Sequence, residues 1–262
     1  MSRAWVAAWL LVPALLVAGT ARADRLATIE RVRASVVAIG TFERTRSPQF
    51  QFLGTGFAVG DGTIIVTNSH VLPSVLDPAR REIIAILLPG RVKDPKDARD
   101  DIQVREGKQI AVDPSSDLAL LKLSGAALPP LKIRDSDTVR EGQDVLFTGF
   151  PIGAVLGPFP ATHKGMVSAV TPIAIPQARA AELEPQTLRR LASGPFPVLQ
   201  LDATAYPGSS GSPVYDPDTG EVVGIINMVL VKSTKESALS QPSGITYAVP
   251  SRNLQLLLEK AR

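Results

Sequence analysis

Residues 198–229 read VLQLDATAYPGSSGSPVYDPDTGEVVGIINMV, in which short aliphatic runs alternate with turns rich in glycine and proline. The runs are Val198–Leu201, Pro213–Tyr215 and Val222–Val229, and the turn between the first two contains PGSSGS. Short β-branched and aliphatic runs bounded by Gly, Pro, Ser and Asp are typical of β-strands. The segment therefore predicts antiparallel strands joined by tight turns, with serines at one of the turns.

The same pattern continues outward along most of the chain. Helix signals are confined to Asp24–Arg33, Asn253–Lys260 and a candidate helix at Gln177–Leu191 inside a proline-rich stretch. Twelve strand-like runs at similar spacing predict an all-β fold of antiparallel barrels or sandwiches. The other nine runs are Val36–Ile39, Phe57–Val59, Thr63–Thr67, Ile83–Leu88, Lys108–Val112, Leu118–Leu123, Asp144–Thr148, Met166–Val170 and Thr246–Val249.

Composition excludes several classes of function. The chain has 262 residues, with 28 Lys and Arg against 25 Asp and Glu. So small a positive excess gives no charge footprint for nucleic acid, and we expect no nucleic-acid partner. Cysteine is absent, which excludes disulfides, thiolate catalysis and thiolate zinc sites. Only His70 and His163 remain as imidazole bases or ligands.

The first 23 residues have the order of a signal peptide. Arg3 precedes an apolar run, Trp5–Ala18, which is followed by the small residues Ala21 and Ala23. The run is shorter than the roughly 20 residues that a membrane-spanning helix needs, and Pro13 interrupts it. We expect cleavage after Ala23 and export to the periplasm, with secretion as an alternative and no transmembrane segment in the mature chain. A retained membrane anchor is the other interpretation of this segment.

Three short segments carry side chains that together can activate a hydroxyl. His70 follows a buried-type strand, Asp117 precedes another, and Ser210 lies in the glycine turn. A serine hydroxyl is a poor nucleophile at neutral pH and needs a positioned base, which in turn needs an acid that fixes its tautomer. Taken alone, each of these three residues is also explained by a structural role: a hydrogen-bonded histidine, a turn-capping aspartate or a serine in an ordinary loop. Their order along the chain, His then Asp then Ser, is that of chymotrypsin-like enzymes.

Seven sequence blocks resemble those of DegP/HtrA-type trypsin-like serine peptidases and occur in that family's order, over about residues 30–255. The resemblance implies two packed six-stranded antiparallel β-barrels with the active site between them. The helix signal at Asn253–Lys260 predicts a short C-terminal helix. Enzymes of this family usually carry PDZ domains after the peptidase domain, and we expect none in this chain. The blocks are GTGF 54–57, TNSHV 67–71, DLALLK 117–122, GMVSA 165–169, DATAYPGSSGSP 202–213, GIIN 224–227 and GITYAVP 244–250.

We expect the chain to divide near Pro129 and Pro130, between two strand-rich halves. The predicted parts are a signal peptide at 1–23, a first barrel half at 24–128, a second barrel half at 129–250 and a helix at 251–262.

The resemblance also implies roles for individual residues. Ser210 is the expected nucleophile, His70 the general base and then acid, and Asp117 the acid that orients the imidazole. The backbone N–H groups of Gly208 and Ser210 are expected to form the oxyanion hole. The implied substrate pocket comprises Thr204, Ala205, Ile225, Ile226 and Asn227. Because no carboxylate or histidine is placed in that pocket, we expect a small or aliphatic side chain at the cleaved position.

Several features depart from the family pattern. Ser209 stands where Asn is frequent and Ser212 where Gly is frequent, and a positive φ at residue 212 would strain the turn. The charged run Arg91–Glu106 is interpreted as a solvated loop. Asp113 is an alternative to Asp117 as the acid. The stretch from Pro172 to Pro197 is an insertion relative to the short connection that is usual in the family.

The sequence favours an exported serine endopeptidase that cleaves unfolded or misfolded polypeptides through an acyl-enzyme. The alternative is a catalytically inactive or latent pseudopeptidase that acts as a binding module, with Ser212 or the insertion disabling the oxyanion hole. No metal and no organic cofactor are implied, since hydrolysis by a triad needs only the protein and water. Assembly into a homo-oligomer is left open. His163 is interpreted as a structural residue.

Overall fold

The computed structural model describes residues 24–88, 103–153, 159–172, 197–227 and 244–262. Six strands form the first closed antiparallel barrel, in the order β1-β2-β3-β6-β5-β4. These strands are β1 Val36–Phe42, β2 Phe50–Val59, β3 Ile64–Asn68, β4 Ile83–Leu88, β5 Gln103–Asp113 and β6 Leu118–Leu123.

Six further strands form a second closed antiparallel barrel, in the order β10-β11-β12-β9-β8-β7. The two barrels confirm the fold predicted from the sequence. The strands are β7 Asp144–Gly149, β8 Ala161–Pro172, β9 Pro197–Asp202, β10 Pro213–Tyr215, β11 Val222–Ile226 and β12 Ile245–Pro250.

In the part of the chain that the structure describes, two helices flank the barrels. Helix α1, Arg25–Arg33, is capped by the Asp24 carboxylate, which accepts from the N–H of Leu26. Helix α2, Ser251–Lys260, begins directly after β12, two residues before the helix signal at Asn253–Lys260. Although α1 precedes the first barrel, its Thr28 hydroxyl donates to a carbonyl of the second barrel, that of Asp218. The N-terminal helix therefore packs on the opposite barrel.

The end of the charged run Arg91–Glu106 forms a strand, and residues 91–102 lie outside the described residues. Gln103–Glu106 pairs with Leu88–Ala85 of β4 and belongs to β5, so the interpretation of this part as a solvated loop is wrong. Main-chain pairing with a neighbouring strand does not depend on side-chain polarity. Charged residues are therefore tolerated where their side chains lie outside the barrel.

The hydrophobic core fixes the two barrels against each other. One cluster of buried side chains includes Phe57 and Leu120 of the first barrel together with Phe150 and Ile225 of the second. The connecting segment bonds to both barrels as well. The N–H of Leu131 donates to Ala58 at 2.9 Å, and that of Arg134 donates to Val222 at 2.9 Å. Side chains at the barrel junction are thus held on a rigid support.

The predicted helix at Gln177–Leu191 and the predicted signal peptide at 1–23 lie outside the described residues. In the described part of the chain, neither helix has the length and apolar character needed to cross a membrane.

Candidate active site

The first barrel brings His70 and Asp117 together across 47 residues of chain. Strands β3 and β6 pair so that Asn68 lies opposite Leu118, which places the ends of the two strands side by side. The chain then makes a single 3-10 turn at Ser69–Val71, and the Ser69 N–H donates to the Asp117 carbonyl at 3.1 Å. His70 therefore sits in a turn that is anchored on Asp117.

The Asp117 carboxylate is buried and accepts hydrogen bonds from Ser69, His70 and Asn227. Its Oδ1 accepts from the Ser69 hydroxyl at 2.5 Å and from the His70 N–H at 3.0 Å. Its Oδ2 lies 2.5 Å from His70 Nδ1 and accepts from the Asn227 amide at 2.8 Å. Because a carboxylate oxygen only accepts, the contact assigns the ring proton to Nδ1 and leaves the lone pair on Nε2.

Ser210 enters from the second barrel. Its Oγ lies 3.1 Å from His70 Nε2, and the residue is 6% exposed. The structure thus brings the three predicted side chains into one hydrogen-bonded series, Asp117 to His70 to Ser210. This geometry lets the imidazole take a proton from the serine hydroxyl.

Asp113, the alternative acid, has different partners. Its carboxylate accepts from the hydroxyls of Ser115 and Ser116. Burial raises the pKa of Asp113, but the hydrogen bonds from the two serines outweigh this and hold the pKa below its usual value. Among the described residues, Asp117 and not Asp113 contacts the imidazole.

The chain before Ser210 forms a turn. The Ser209 N–H donates to the Tyr206 carbonyl at 2.9 Å, with Pro207 and Gly208 between them. Gly208 has a φ of +99°. Proline second and a positive-φ glycine third define a type II turn, a conformation that other residues adopt only with strain.

The main-chain N–H groups of Gly208 and Ser210 have no acceptor in the described part of the chain. An amide without an acceptor next to the Ser210 hydroxyl is what an oxyanion site requires, since such a site must be open until charge develops on the substrate. The N–H groups of Gly208 and Ser210 are therefore two candidate oxyanion donors in the turn that contains the Ser210 hydroxyl.

Ser212 fits into the turn without the backbone strain that a positive φ would cause. The positive-φ residues of the turn are Gly208 and Gly211, and Ser212 is not among them. Ser212 is fully buried, and a Cβ added to Gly149 would lie 1.9 Å from its Oγ. The glycine at 149 thus leaves the space that the serine occupies.

The predicted pocket residues occupy different environments. Thr204 is half-buried and Ala205 is 8% exposed. Ile225 and Ile226 are fully buried and belong to hydrophobic core clusters. Their place in a pocket wall stays a prediction.

Sequence reasoning missed the contact of Asn227 with Asp117. Asn227 was assigned to the pocket wall, whereas its side chain is fully buried and its amide reaches the aspartate carboxylate. A polar residue that ends the aliphatic run GIIN is the signal that points to such a buried contact.

His163 lies on β8 of the second barrel and is half-buried, with its ring centroid 6.4 Å from that of Tyr206 in the turn before Ser210. Its ring stacks on Phe147, with centroids 4.9 Å apart, and its Nε2 is buried without a partner among the described residues. Burial lowers the pKa of His163 below its usual value.

Two closed six-stranded barrels, with a serine of one bonded to a histidine of the other, define the chymotrypsin-like class of fold. A trypsin-like peptidase domain model matches residues 54–225. The chain belongs to the trypsin-like peptidase family.

Curated relatives carry the name "probable periplasmic serine endoprotease DegP-like". The protein of that name from Marinomonas sp. (strain MWYL1) is 32% identical over 76% of this chain and 33% of its own length. Those from Pseudomonas putida (strain W619) and Pseudomonas fulva (strain 12-X) are each 31% identical, over 79% and 78% of this chain. They are matched over 36% and 34% of their own lengths, so the chain spans about a third of these relatives.

Proposed function

We propose that this chain is a serine endopeptidase that cleaves peptide bonds through an acyl-enzyme. The observation that carries the proposal is the hydrogen-bonded series from Asp117 through His70 to Ser210, next to the two N–H groups without acceptors. Each group that the chemistry needs has one residue in a position to supply it.

In the proposed reaction, Ser210 Oγ attacks the carbonyl carbon of the substrate while its proton passes to His70 Nε2. The carbonyl oxygen becomes negatively charged and is stabilised by the N–H groups of Gly208 and Ser210. Asp117 stabilises the imidazolium that forms. The C–N bond then breaks, His70 gives the proton to the leaving amine, and an ester to Ser210 remains. Water then attacks the ester carbonyl while His70 takes its proton. The bond between the carbonyl carbon and Ser210 Oγ breaks, His70 returns the proton to Oγ, and the carboxylic acid product leaves.

We further propose that the substrates are unfolded or misfolded polypeptides and that the chain acts after export to the periplasm. Two observations support this location: the order of charge, apolar run and small residues in 1–23, and the periplasmic names of the relatives. A small or aliphatic residue is proposed at the cleaved position, because Thr204 and Ala205 offer no charge for a basic side chain.

The test is hydrolysis of two protein substrates, unfolded casein and a folded, protease-resistant protein. We expect the purified protein to cleave casein, to leave the folded protein intact and to lose casein cleavage in Ser210→Ala. Ser35→Ala is a matched control, since Ser35 is a buried serine whose hydroxyl has no partner within the described residues. Equal turnover by wild type and Ser210→Ala would overturn the assignment. A wild-type protein without turnover would favour the pseudopeptidase alternative.

A further inference from the structure

Thr55 is a buried residue of β2 whose hydroxyl crosses from the first barrel to the second. Its Oγ1 donates to the carbonyl of Gly208 at 2.8 Å and accepts from the N–H of Phe150 at 3.1 Å. Thr55 is fully buried. A hydroxyl has one proton to donate, and here that proton is committed to the Gly208 carbonyl.

The main chain of Thr55 adds a second contact to the same turn. Its N–H donates to the carbonyl of Ser210 at 2.9 Å. One residue therefore holds the carbonyls of both Gly208 and Ser210, whose N–H groups are the proposed oxyanion donors. Glycine has the weakest backbone preference of all residues, so the orientation of Gly208 depends on such external restraints.

The Gly208 N–H belongs to the peptide unit between Pro207 and Gly208, and the carbonyl of that unit is also held by a hydrogen bond. The Pro207 carbonyl accepts from the N–H of Ile152 at 2.7 Å. Because the peptide unit is planar and trans, its N–H points opposite to its carbonyl, so the Gly208 N–H is directed away from Ile152. The direction of this proposed donor is thus set by the position of the Ile152 amide.

Ile152 itself occupies a strained conformation that needs support. Its φ is +50°, which is unfavourable for a β-branched residue. It lies in a second turn, in which the Gly153 N–H donates to the Phe150 carbonyl at 3.2 Å. The Phe150 N–H at the start of this turn donates to the Thr55 hydroxyl. The same hydroxyl therefore anchors both turns, one at each end of the Pro207–Gly208 peptide.

We propose that Thr55 is a positioning residue whose hydroxyl keeps the Gly208 amide aimed at the oxyanion of the transition state, an inference that rests on the proposed function. It acts through Gly208 and touches neither the substrate nor the reacting atoms. Its loss lowers the rate of the chemical step more than it weakens substrate binding, because the oxyanion forms only in the transition state.

The test compares Thr55→Val, Thr55→Ser and Thr148→Val on a peptide substrate. Valine keeps the shape and removes the hydroxyl, whereas serine keeps the hydroxyl. Thr148 is a matched control, because it is also fully buried and its hydroxyl makes two hydrogen bonds, to Thr162 and Tyr215, both at 2.8 Å. We expect kcat of Thr55→Val to fall about 10- to 100-fold with little change in KM, and Thr55→Ser to stay near wild type.

Three results would overturn the proposal: the same kcat for Thr55→Val as for Thr148→Val, a loss in Thr55→Ser equal to that in Thr55→Val, or a loss confined to KM. A second readout does not depend on activity. In ¹H–¹⁵N spectra, Thr55→Val should shift or broaden the Gly208 amide signal, and Thr148→Val should not. An unchanged Gly208 signal overturns the positioning role even in an inactive protein, whereas an inactive wild type with a displaced signal overturns only the proposed function.

Discussion

The two barrels contribute to the site in different ways. The first barrel supplies two side chains, His70 and Asp117, which are fixed by hydrogen bonds to the Asp117 carboxylate. The second barrel supplies the Ser210 hydroxyl and two main-chain N–H groups, whose directions follow from the backbone conformation of a glycine turn. The contribution of the first barrel thus depends on side-chain chemistry, whereas that of the second barrel depends also on the path of the main chain.

Because of this difference, we expect substitutions in the two barrels to impair the site in two different ways. In the first barrel, a substitution of His70 or Asp117 acts by removing or altering a functional group while the backbone stays in place. On the second, adding a single methyl group to a glycine changes the site without touching any functional side chain. The following substitutions test whether the two halves fail in these two ways, starting with the largest expected effect.

Asp117→Asn keeps the shape of the side chain and replaces an acceptor oxygen with an amide. We expect kcat to fall about 10⁴-fold, because an amide facing Nδ1 no longer fixes the tautomer that leaves Nε2 free to accept a proton. Steady-state hydrolysis of a peptide substrate measures the loss.

Asp113→Asn is the control for this substitution, since Asp113 bonds to Ser115 and Ser116 and not to the imidazole. We expect it to keep its activity. A larger loss in Asp113→Asn than in Asp117→Asn would return the acid role to Asp113.

Gly208→Ala tests the main-chain half of the site. A Cβ at this position would lie 2.4 Å from the Phe150 carbonyl, and the φ of +99° disfavours alanine. The turn must shift, so we expect a loss of about 10²- to 10³-fold in kcat, comparable to the loss of one oxyanion donor. Peptide hydrolysis measures the loss.

Gly142→Ala separates local strain from damage to the site. Gly142 has a similar φ of +84°, but an added Cβ meets nothing within 4 Å. We expect a lower melting temperature and normal kcat. Equal kcat for the two alanine variants would show that the turn at Gly208 is not part of the catalytic geometry.

Asn227→Ala removes one donor to the Asp117 carboxylate and leaves the contact with His70 in place. A hydrogen bond to a charged group contributes about 1.5–3 kcal/mol, so we expect a loss of about 10- to 100-fold in kcat. Asn68→Ala is a matched comparison, because Asn68 is equally buried but donates to the Asp117 main-chain carbonyl. A smaller kinetic loss is expected there, and the reverse order would contradict the assigned role of the Asn227 amide.

His163→Phe tests the second barrel alone and should have the smallest effect. Since burial lowers the pKa of His163, the unfolded chain binds a proton below about pH 6.5 that the folded chain does not. The free energy of unfolding therefore falls as the pH falls through this range and is unaffected by His163 above it.

Urea unfolding between pH 7.5 and 5.5, in a Ser210→Ala background that prevents self-cleavage, measures the effect. We expect His163→Phe to lose less stability with falling pH than the matched protein with His163. Parallel curves for the two proteins would show that the buried imidazole does not contribute.

The sequence was most informative where one physical signal was strong. Short aliphatic runs between turns predicted the twelve strands of the described residues, because most of these strands are buried along nearly their whole length and buried positions select aliphatic residues. The bounds were less accurate. Strand β2 begins at Phe50 and not at Phe57, since Gly54 and Gly56 interrupt the apolar pattern without interrupting main-chain pairing.

The three side chains of the site could be predicted from the sequence, but the residues that hold them and the glycine turn in place could not. His70, Asp117 and Ser210 stand in recognisable segments, and the structure brings them together. Thr55 and Asn227 make hydrogen bonds between the barrels, at sequence separations of 153 and 110 residues. A local sequence pattern contains no information about contacts between residues so far apart along the chain, so only the folded structure shows them.

The central claim is that Ser210 is a nucleophile activated by His70. Labelling with a fluorophosphonate, followed by mass spectrometry of the peptides, tests it most directly. We predict a single adduct on the peptide that contains Ser210, none in Ser210→Ala and strongly slowed labelling in Asp117→Asn. Equal labelling of wild type and Ser210→Ala, or an adduct at another residue, would contradict the account.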